Sequence, residues 1–193
     1  MSRPRVINQD EILDAAEAVV LRDGAAKLTL DAVALEAGIS KASVIYDYKT
    51  KQALIKAVIE RRASAERDRL KLIIEALGCV QNACILGHIK AAASVISDET
   101  RSVGVNLCSA LSQDTELTSG FQELCRQDIE TILETSENPR SALLAFLAVE
   151  GLKLLEFIGV HSWPENERNE ILREIEMLAK MPLKPPSREG PDT

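Results

Sequence analysis

The residues best placed for chemistry lie in one short segment near the N-terminus. Lys41, Ala42, Ser43 and Tyr46 occupy the first turns of a single predicted helix. A helix that presents its N-terminal residues in this way suits the major groove of DNA. Lys41 can donate to guanine or phosphate, and Ala42 is small enough to allow close approach to a thymine methyl group. We expect these four side chains to face base edges.

Polar groups at three helix starts would extend this surface. Thr29 and Ser40 each precede a predicted helix, and Lys49 and Lys51 flank the start of another. Hydroxyls, ammonium groups and free backbone N–H groups at such positions suit phosphates. The alternative is a small helical bundle whose lysines are simply solvated.

A second group of candidate ligands is Cys79, Cys84 and His88. Cys84 and His88 are four residues apart and share a helical face, with Cys79 about one turn earlier. This spacing resembles half a metal site, but metal motifs normally show tighter pairs, and such residues more often line a core or a pocket. We predict no metal and no cofactor. The sequence shows no catalytic dyad and no phosphate-cradling glycine loop, so we predict no catalytic residue and no enzyme.

The elements that must position these residues are predicted to be helices throughout. Aromatic residues make up only 3% of the chain, and apolar residues recur at helical spacing. Gly38-Ile39-Ser40 is a turn of the length and type that joins the helices of a helix-turn-helix. The predicted helices cover residues 7–24, 30–37, 41–47, about 51–78, 79–97, 99–112, 114–136, 140–160 and 165–181.

Charge and hydropathy narrow the class of protein. Residues 1–62 carry a net charge of +1 and residues 63–193 carry −8, so only the N-terminal third suits a polyanion. No apolar run approaches the roughly 18 residues that span a bilayer, and the basic start lacks the apolar core of a signal peptide. We expect a cytoplasmic protein that makes no membrane contact, with its four cysteines as free thiols.

The segment from Leu28 to Leu54 resembles the DNA-binding domain of the tetracycline-repressor (TetR) family. The matching positions are Thr29, Ala34, Ala37-Gly38-Ile39-Ser40-Lys41, Tyr48 and Lys51-Gln52-Ala53-Leu54. The family commonly has Tyr where this chain has Ile45, and His or an aromatic residue where it has Asp47. These departures predict an unusual operator preference.

The resemblance implies an all-α homodimeric transcriptional regulator, usually a repressor, whose partners are double-stranded operator DNA and a small-molecule effector. It predicts a helix-turn-helix domain over residues 1–50 and a helical effector-binding and dimerisation domain over 51–181. Four prolines in the last twelve residues predict a disordered tail over 182–193. The alternative from a different class is a helical protein that binds a ligand or partner without acting on DNA.

In the family, helices four to seven enclose the effector. The candidate lining here is mostly apolar with a few polar groups: Cys84, Ile85, His88, Asn106, Leu107, Cys108, Leu111 and Phe121. Such a lining suits a small, largely apolar effector. A direct thiol or metal signal through Cys84, Cys108 and His88 is the alternative.

The segment 140–160 is apolar nearly all round, so it must be buried on more than one side. The resemblance implies that the last two long helices pair across a dimer. The residues predicted for that interface form one stripe on each helix: Leu143, Leu147, Gly151, Leu154 and Ile158, then Ile171, Ile175 and Leu178. The alternative is a single helix inside the chain's own core.

Overall fold

The computed structural model describes residues 8–94, 97–111 and 115–183, and within these ranges the regular structure is entirely helical. The predicted all-α fold is confirmed. The helices are α1 Gln9–Asp23, α2 Leu30–Ala37, α3 Lys41–Asp47, α4 Lys51–Leu77, α5 Ala83–Ala92, α6 Asp98–Leu111, α7 Thr115–Thr135, α8 Pro139–Phe157 and α9 Glu165–Lys180. A short 3₁₀ turn, Ala25–Lys27, follows α1. Most of the predicted tail, residues 184–193, lies outside the described residues.

The largest differences from the predicted helix bounds are in α5, which ends at Ala92 rather than at residue 97. The helix begins at Ala83 rather than at residue 79, because Asn82 has a left-handed backbone with φ of 63°. Asn tolerates this conformation better than most residues. The Asn82 side chain also accepts a hydrogen bond from the backbone N–H of Glu137 at 3.0 Å. This turn ties the start of α5 to the connection between α7 and α8.

The chain divides into two compact units. The N-terminal unit comprises Met1–Asp68 and Ile96–Glu123, and the C-terminal unit comprises Arg69–Val95 and Leu124–Thr193. Helices α4 and α7 therefore contribute residues to both units. The domain boundary predicted at residue 50 follows the sequence motif instead, and it remains a prediction about which part of the chain binds DNA.

The core of the N-terminal unit is apolar. Its largest fully buried side chains come from α1 to α4, and α6 adds Val103 and Leu107. Gly38, at φ of 65°, closes α2, and the next residue, Ile39, donates its N–H to Ala34 O at 3.0 Å. A left-handed glycine at this position is a common helix end. It makes the turn into α3 short, and α3 then packs on α2.

The core of the C-terminal unit lies between α5, α8 and α9. Ile85, Ile132 and Val149 are fully buried there, and Trp163 packs against the same cluster. A Cβ placed on Gly87 would lie 2.4 Å from Cγ1 of Ile74, so only glycine fits this approach of α5 to the end of α4. No helix in the described ranges is long and apolar enough to cross a membrane.

Buried polar side chains hold the ends of the C-terminal helices together. Arg168 in α9 forms two bonds to Glu156 in α8, at 2.7 and 3.0 Å, and donates to Ala92 O at the end of α5 at 2.6 Å. Ser141 near the start of α8 donates to Met181 O just beyond α9. Such groups are stable in a core because their hydrogen bonds are made within it.

Candidate functional site

Helix α3 is positioned by one buried residue and one cap. Val44 is fully buried in the N-terminal core, and the Ser40 hydroxyl accepts from Ser43 N at 3.1 Å. The opposite face is open: the Tyr46 side chain is 87% exposed. A concavity of about 440 Å³ runs along this face, lined by Ala42, Ser43, Tyr46 and Asp47. Three of the residues predicted to face bases therefore line one open surface.

Lys41 lies at the start of the same helix and has a partner on α2. Its Nζ is 2.8 Å from Oδ2 of Asp31, and both side chains are more than half exposed. An exposed ion pair contributes little free energy. Lys41 can therefore exchange this carboxylate for a phosphate or a guanine without a large cost.

Asp47 has a partner that sequence reasoning missed. Nε2 of Gln9, at the start of α1, donates to Oδ1 of Asp47 at 3.2 Å. No local spacing signals this bond, because the two residues are 38 positions apart. The amide satisfies one carboxylate oxygen of the residue that departs from the family pattern, but it does not neutralise the charge.

The two lysines predicted to contact phosphate have different surroundings. Lys51 is partly buried, and its ammonium group donates to Ala25 O at 3.0 Å and Ala26 O at 3.1 Å. Lys49 is exposed. The structure thus gives Lys51 a bracing role that its sequence position did not suggest. Thr29 is placed as predicted at a helix start, where its hydroxyl accepts from Ala32 N at 3.1 Å.

The residues predicted to line an effector pocket fall in both compact units. Asn106, Leu107 and Phe121 belong to the N-terminal unit. Leu107 is buried in that unit's core, Asn106 donates to Ser102 O at 2.8 Å, and Phe121 is exposed. The side chains of Cys108 and Leu111 lie outside the described residues. A common pocket for this set remains a prediction.

The other three predicted pocket residues, Cys84, Ile85 and His88, are buried on α5 in the C-terminal unit. Ile85 is a core residue with no exposed surface. Cys84 lies at the edge of a cleft of about 410 Å³ whose walls are mainly apolar. Burial, helped by the nearby Asp128 carboxylate, raises the pKa of the Cys84 thiol to about 11. The thiol is therefore protonated at neutral pH and is a poor nucleophile.

His88 is surrounded by groups that sequence reasoning did not connect to it. Its Nδ1 lies 3.7 Å from Oε1 of Glu150 on α8, and its Nε2 lies 4.0 Å from Oδ2 of Asp128 on α7. The ring meets Phe146 edge-on at a centroid distance of 5.1 Å. The side chain is buried, and Nε2 has no hydrogen-bond partner among the described residues.

The Glu150 carboxylate is ionised more readily than its burial alone would allow. Burial raises its pKa, but His88 and Lys153 together outweigh that effect, and the pKa is lowered from the ordinary value. Lys153 Nζ lies 2.8 Å from Glu150 Oε1. Among the described residues, no group of three or more His, Cys, Asp and Glu side chains is arranged to hold a metal ion.

The stripe predicted on α8 is the more exposed part of the proposed dimer interface. Leu147 is 56% exposed and Leu154 57%, while Ile158 is also exposed and Leu143 and Gly151 are partly buried. Large apolar side chains left open in this way are typical of interaction surfaces. The opposite face of α8, which carries Ala142, Ala145, Phe146, Val149 and Leu152, is buried in the core.

The stripe predicted on α9 is placed differently. Ile175 is buried in the C-terminal core, and Ile171 and Leu178 pack against that core. The amphipathic face of α9 thus covers the chain's own helices first, which leaves these three side chains little surface for a partner. Met177, which the sequence analysis did not select, is the exposed large apolar residue within α9.

Two protein-family models match the chain. Residues 12–58 match the family model described as bacterial regulatory proteins of the tetR family. Residues 82–180 match the model described as the tetracyclin repressor-like C-terminal domain. No curated protein sequence matches the chain.

Several solved structures share the fold. SCO7518 from Streptomyces coelicolor A3(2), assigned as a transcriptional regulator, has a TM-score of 0.68 at 15% identity and covers 90% of this chain and 98% of its own. A Saccharomonospora viridis regulator in complex with choline has a TM-score of 0.67 at 14% identity. The match covers 88% of this chain and 95% of that regulator. The multidrug binding protein EbrR complexed with ethidium has a TM-score of 0.59 at 18% identity. The match covers 90% of this chain and 99% of EbrR. At these identities the likeness establishes the fold.

Proposed function

The chain belongs to the tetracycline-repressor (TetR) family of transcriptional regulators, and on that premise we propose that it is a homodimeric repressor released from a palindromic operator by a small, largely apolar effector. Members of the family are DNA-binding transcription factors rather than enzymes. The observation that carries the proposal is the open face of α3, where Tyr46 is exposed while Val44 anchors the helix in the core.

The chemistry of that face supports a role in reading bases. A recognition helix contacts base edges with residues near its N-terminus. Ala42 and Ser43 are small enough to let the backbone approach the groove floor, and the Tyr46 ring offers an apolar surface and a hydroxyl. Thr29 and Lys49 lie at neighbouring helix starts and would contact phosphates, which fix the register of the protein on DNA.

The exposed apolar side chains of α8 support a two-fold dimer. Leu147, Leu154 and Ile158 fall on one side of the helix, and water contact with these side chains is unfavourable. A second copy that presents the same stripe would cover it, and two-fold interfaces pair a surface with itself. A dimer with two recognition helices binds two half-sites one DNA turn apart, or multiples of it, so the operator would be palindromic.

The relatives support a small organic effector. The Saccharomonospora viridis protein holds choline and EbrR holds ethidium. In this chain, a mainly apolar cleft next to Cys84 offers room for such a molecule. An effector releases DNA only if it binds one conformation better than the other. The usual coupling is about 1–3 kcal/mol, or roughly 5–150-fold in operator affinity.

Selection from random DNA duplexes, followed by fluorescence anisotropy at several salt concentrations, tests the proposal. We expect the wild type to select a palindrome. Tyr46→Ala should lower the affinity for that duplex by about tenfold, which is the size expected for the loss of one base contact worth about 1–3 kcal/mol. The matched control is Leu72→Ala, which removes an exposed large side chain of α4, away from α3. This variant should bind the duplex with wild-type affinity.

The same experiment has an outcome that contradicts the proposal. If the selected duplexes show neither symmetry nor a common motif, and Tyr46→Ala behaves as Leu72→Ala does, α3 does not read DNA. The protein would then be a helical ligand-binding or partner-binding protein without DNA function.

A further inference from the structure

One acidic side chain lies on the open face of α3. Asp47 lines the concavity of about 440 Å³ together with Ala42, Ser43 and Tyr46. It follows Ser43 by four residues, so the two side chains lie on the same side of the helix. A carboxylate that faces the phosphate backbone is repelled by it. Asp47 can favour DNA binding from this position only if it accepts a hydrogen bond from a base.

The Asp47 carboxylate is held in place by an uncharged partner. Nε2 of Gln9 donates to Oδ1 of Asp47 at 3.2 Å. Gln9 is the first residue of α1, and Ile12 and Leu13 anchor that helix in the N-terminal core. A carboxylate can accept about four hydrogen bonds, so acceptor capacity remains after this one. Asp47 is therefore an anionic acceptor whose orientation is set by a neighbouring helix.

A second carboxylate close to α3 has different surroundings. Oδ2 of Asp31, on α2, pairs with Nζ of Lys41 at 2.8 Å. The ammonium group offsets the negative charge of Asp31, whereas the amide of Gln9 does not offset that of Asp47. Among the described residues that line the concavity, Asp47 is the acidic one.

The chemistry of base edges limits what this acceptor can bind. A carboxylate in the major groove needs a hydrogen-bond donor, and only cytosine and adenine present one there. The N6 amino group of adenine lies between two acceptors, its own N7 and O4 of the paired thymine, and both repel a carboxylate. The N4 amino group of cytosine has an acceptor on one side only, which is O6 of the paired guanine. Cytosine is therefore the base that suits Asp47 best.

We propose that Asp47 is a specificity residue that accepts a hydrogen bond from N4 of a cytosine in each operator half-site, and that Gln9 positions its carboxylate. This inference rests on the proposed function, because it requires α3 to enter the major groove, and it adds one base to the operator. The same carboxylate rejects duplexes that present guanine or thymine at that place, since it then faces an oxygen lone pair.

Parallel selections from random duplexes test the assignment. The full-length wild type and Asp47→Ala are each used to select a motif. We expect the wild-type motif to contain a symmetric pair of cytosines, and we expect Asp47→Ala to lose the preference at those two positions alone. Asp47→Asn, which keeps the shape of the side chain, should also lose the preference for cytosine. If all three proteins select the same motif, or if the lost base is not cytosine, the proposal is wrong.

Fluorescence anisotropy then measures the contact. In each half-site the cytosine·guanine pair is replaced by deoxyuridine·adenine, which exchanges the N4 amino group for a carbonyl oxygen and adds no methyl group. The wild type should lose at least about tenfold in affinity, the size of one base contact. Asp47→Ala should lose less than about twofold. Equal losses in the two proteins would overturn the proposal.

A charge-matched control separates base reading from general repulsion. Glu60 is exposed on α4, and Glu60→Ala removes one acidic charge as Asp47→Ala does. Glu60→Ala should keep the wild-type motif and the tenfold discrimination. If Asp47→Ala instead raises the affinity for every duplex by the same factor and keeps the motif, Asp47 only repels phosphate and the inference fails.

The positioning role of Gln9 has its own readout. Gln9→Ala should reduce the discrimination between the cytosine and deoxyuridine duplexes from about tenfold to about threefold, because the carboxylate is then free to turn. The double variant with Asp47→Ala should discriminate no less than Asp47→Ala alone, since the two residues act through one contact. If Gln9→Ala weakens both duplexes equally, Gln9 supports the fold or the general affinity and does not position Asp47.

The outcomes also distinguish this inference from the proposed function. If the wild type selects a palindrome in which no cytosine depends on Asp47, the operator-binding role stands and the inference fails. If the wild type selects no common motif, both fail.

Discussion

The two compact units differ in where they keep their polar chemistry. In the N-terminal unit, the described core is apolar. The polar side chains that could contact DNA lie on the surface of α3 and at helix starts. In the C-terminal unit, Asn82, His88, Ser141 and Arg168 are buried, while Leu147 and Leu154 are exposed. The first unit also exposes large apolar side chains, such as Leu35 at 85%, but no polar or charged side chain is buried among its described residues. The second combines exposed apolar side chains on α8 with buried polar ones, so the two units differ mainly in what their interiors contain.

The difference also predicts how mutations act. A surface residue of the N-terminal unit can change without much effect on folding, so its variants report binding. A buried polar residue of the C-terminal unit has bonds that water cannot replace, so its variants report stability.

The largest expected change in stability comes from one of two arginines, each of which bonds a carboxylate and a backbone carbonyl. Arg168 bonds Glu156 and the carbonyl of Ala92, and its side chain is 7% exposed. Arg62 bonds Glu17 and the carbonyl of Thr100, and its side chain is 25% exposed. Arg168→Ala should lower the free energy of unfolding by about 3 kcal/mol, since it leaves a carboxylate and a carbonyl without their partner. Arg62→Ala should cost about 1 kcal/mol.

Urea unfolding followed by circular dichroism measures both losses. Equal losses would break the comparison, because they would show that burial of the polar bonds does not distinguish the two units.

Two glycines test whether the exposed face of α8 is an interface. Gly151 in α8 and Gly120 in α7 both lie inside helices, and a Cβ added to either meets no described atom within 4 Å. Replacement of each by Ala should therefore stabilise the subunit by about 0.5–1 kcal/mol through helix propensity. Gly151→Ala should also weaken the dimer by several-fold, because a methyl group would separate two closely packed backbones.

Sedimentation equilibrium gives the dimer constant, and urea unfolding at low concentration gives the subunit stability. Gly120→Ala is the control and should leave the dimer constant unchanged. A Gly151→Ala protein that dimerises as tightly as the wild type would show that α8 does not cross its partner at this residue.

The smallest expected effect distinguishes the two lysines near the start of α4. Lys49→Ala should lower the slope of log affinity against log salt by about one, the value for one lost phosphate contact. Lys51→Ala should leave the slope unchanged and lower the free energy of unfolding by about 1 kcal/mol, since Lys51 braces the carbonyls of Ala25 and Ala26. A reduced slope for Lys51→Ala would show that its ammonium group leaves those carbonyls for phosphate.

Sequence reasoning succeeded where the decisive interactions are local. Caps and helix ends depend on residues within four positions of one another, and Thr29, Gly38 and Ser40 therefore marked the bounds of α2 and α3 correctly. The start of α5 was missed because the left-handed Asn82 is held by a backbone group 55 positions away.

The interactions inside the core could be identified only from the folded structure. Periodicity showed that α9 has an apolar face, but it did not show that the chain's own core covers Ile175. In the same way, nothing in the spacing of His88, Asp128 and Glu150 indicates that three separate helices bring them together. Distances along the chain carry little information about such pairs, since packing decides which faces meet.

The aromatic residues divide between the units in a way that is useful for spectroscopy. Both tyrosines, Tyr46 and Tyr48, lie in the N-terminal unit beside the proposed DNA surface, and the single tryptophan, Trp163, packs against the C-terminal core. Indole emission therefore reports unfolding or ligand binding in the C-terminal unit alone. Phenol emission reports DNA binding and unfolding in the N-terminal unit. The unmodified protein thus carries a separate optical probe for each half of its proposed switch.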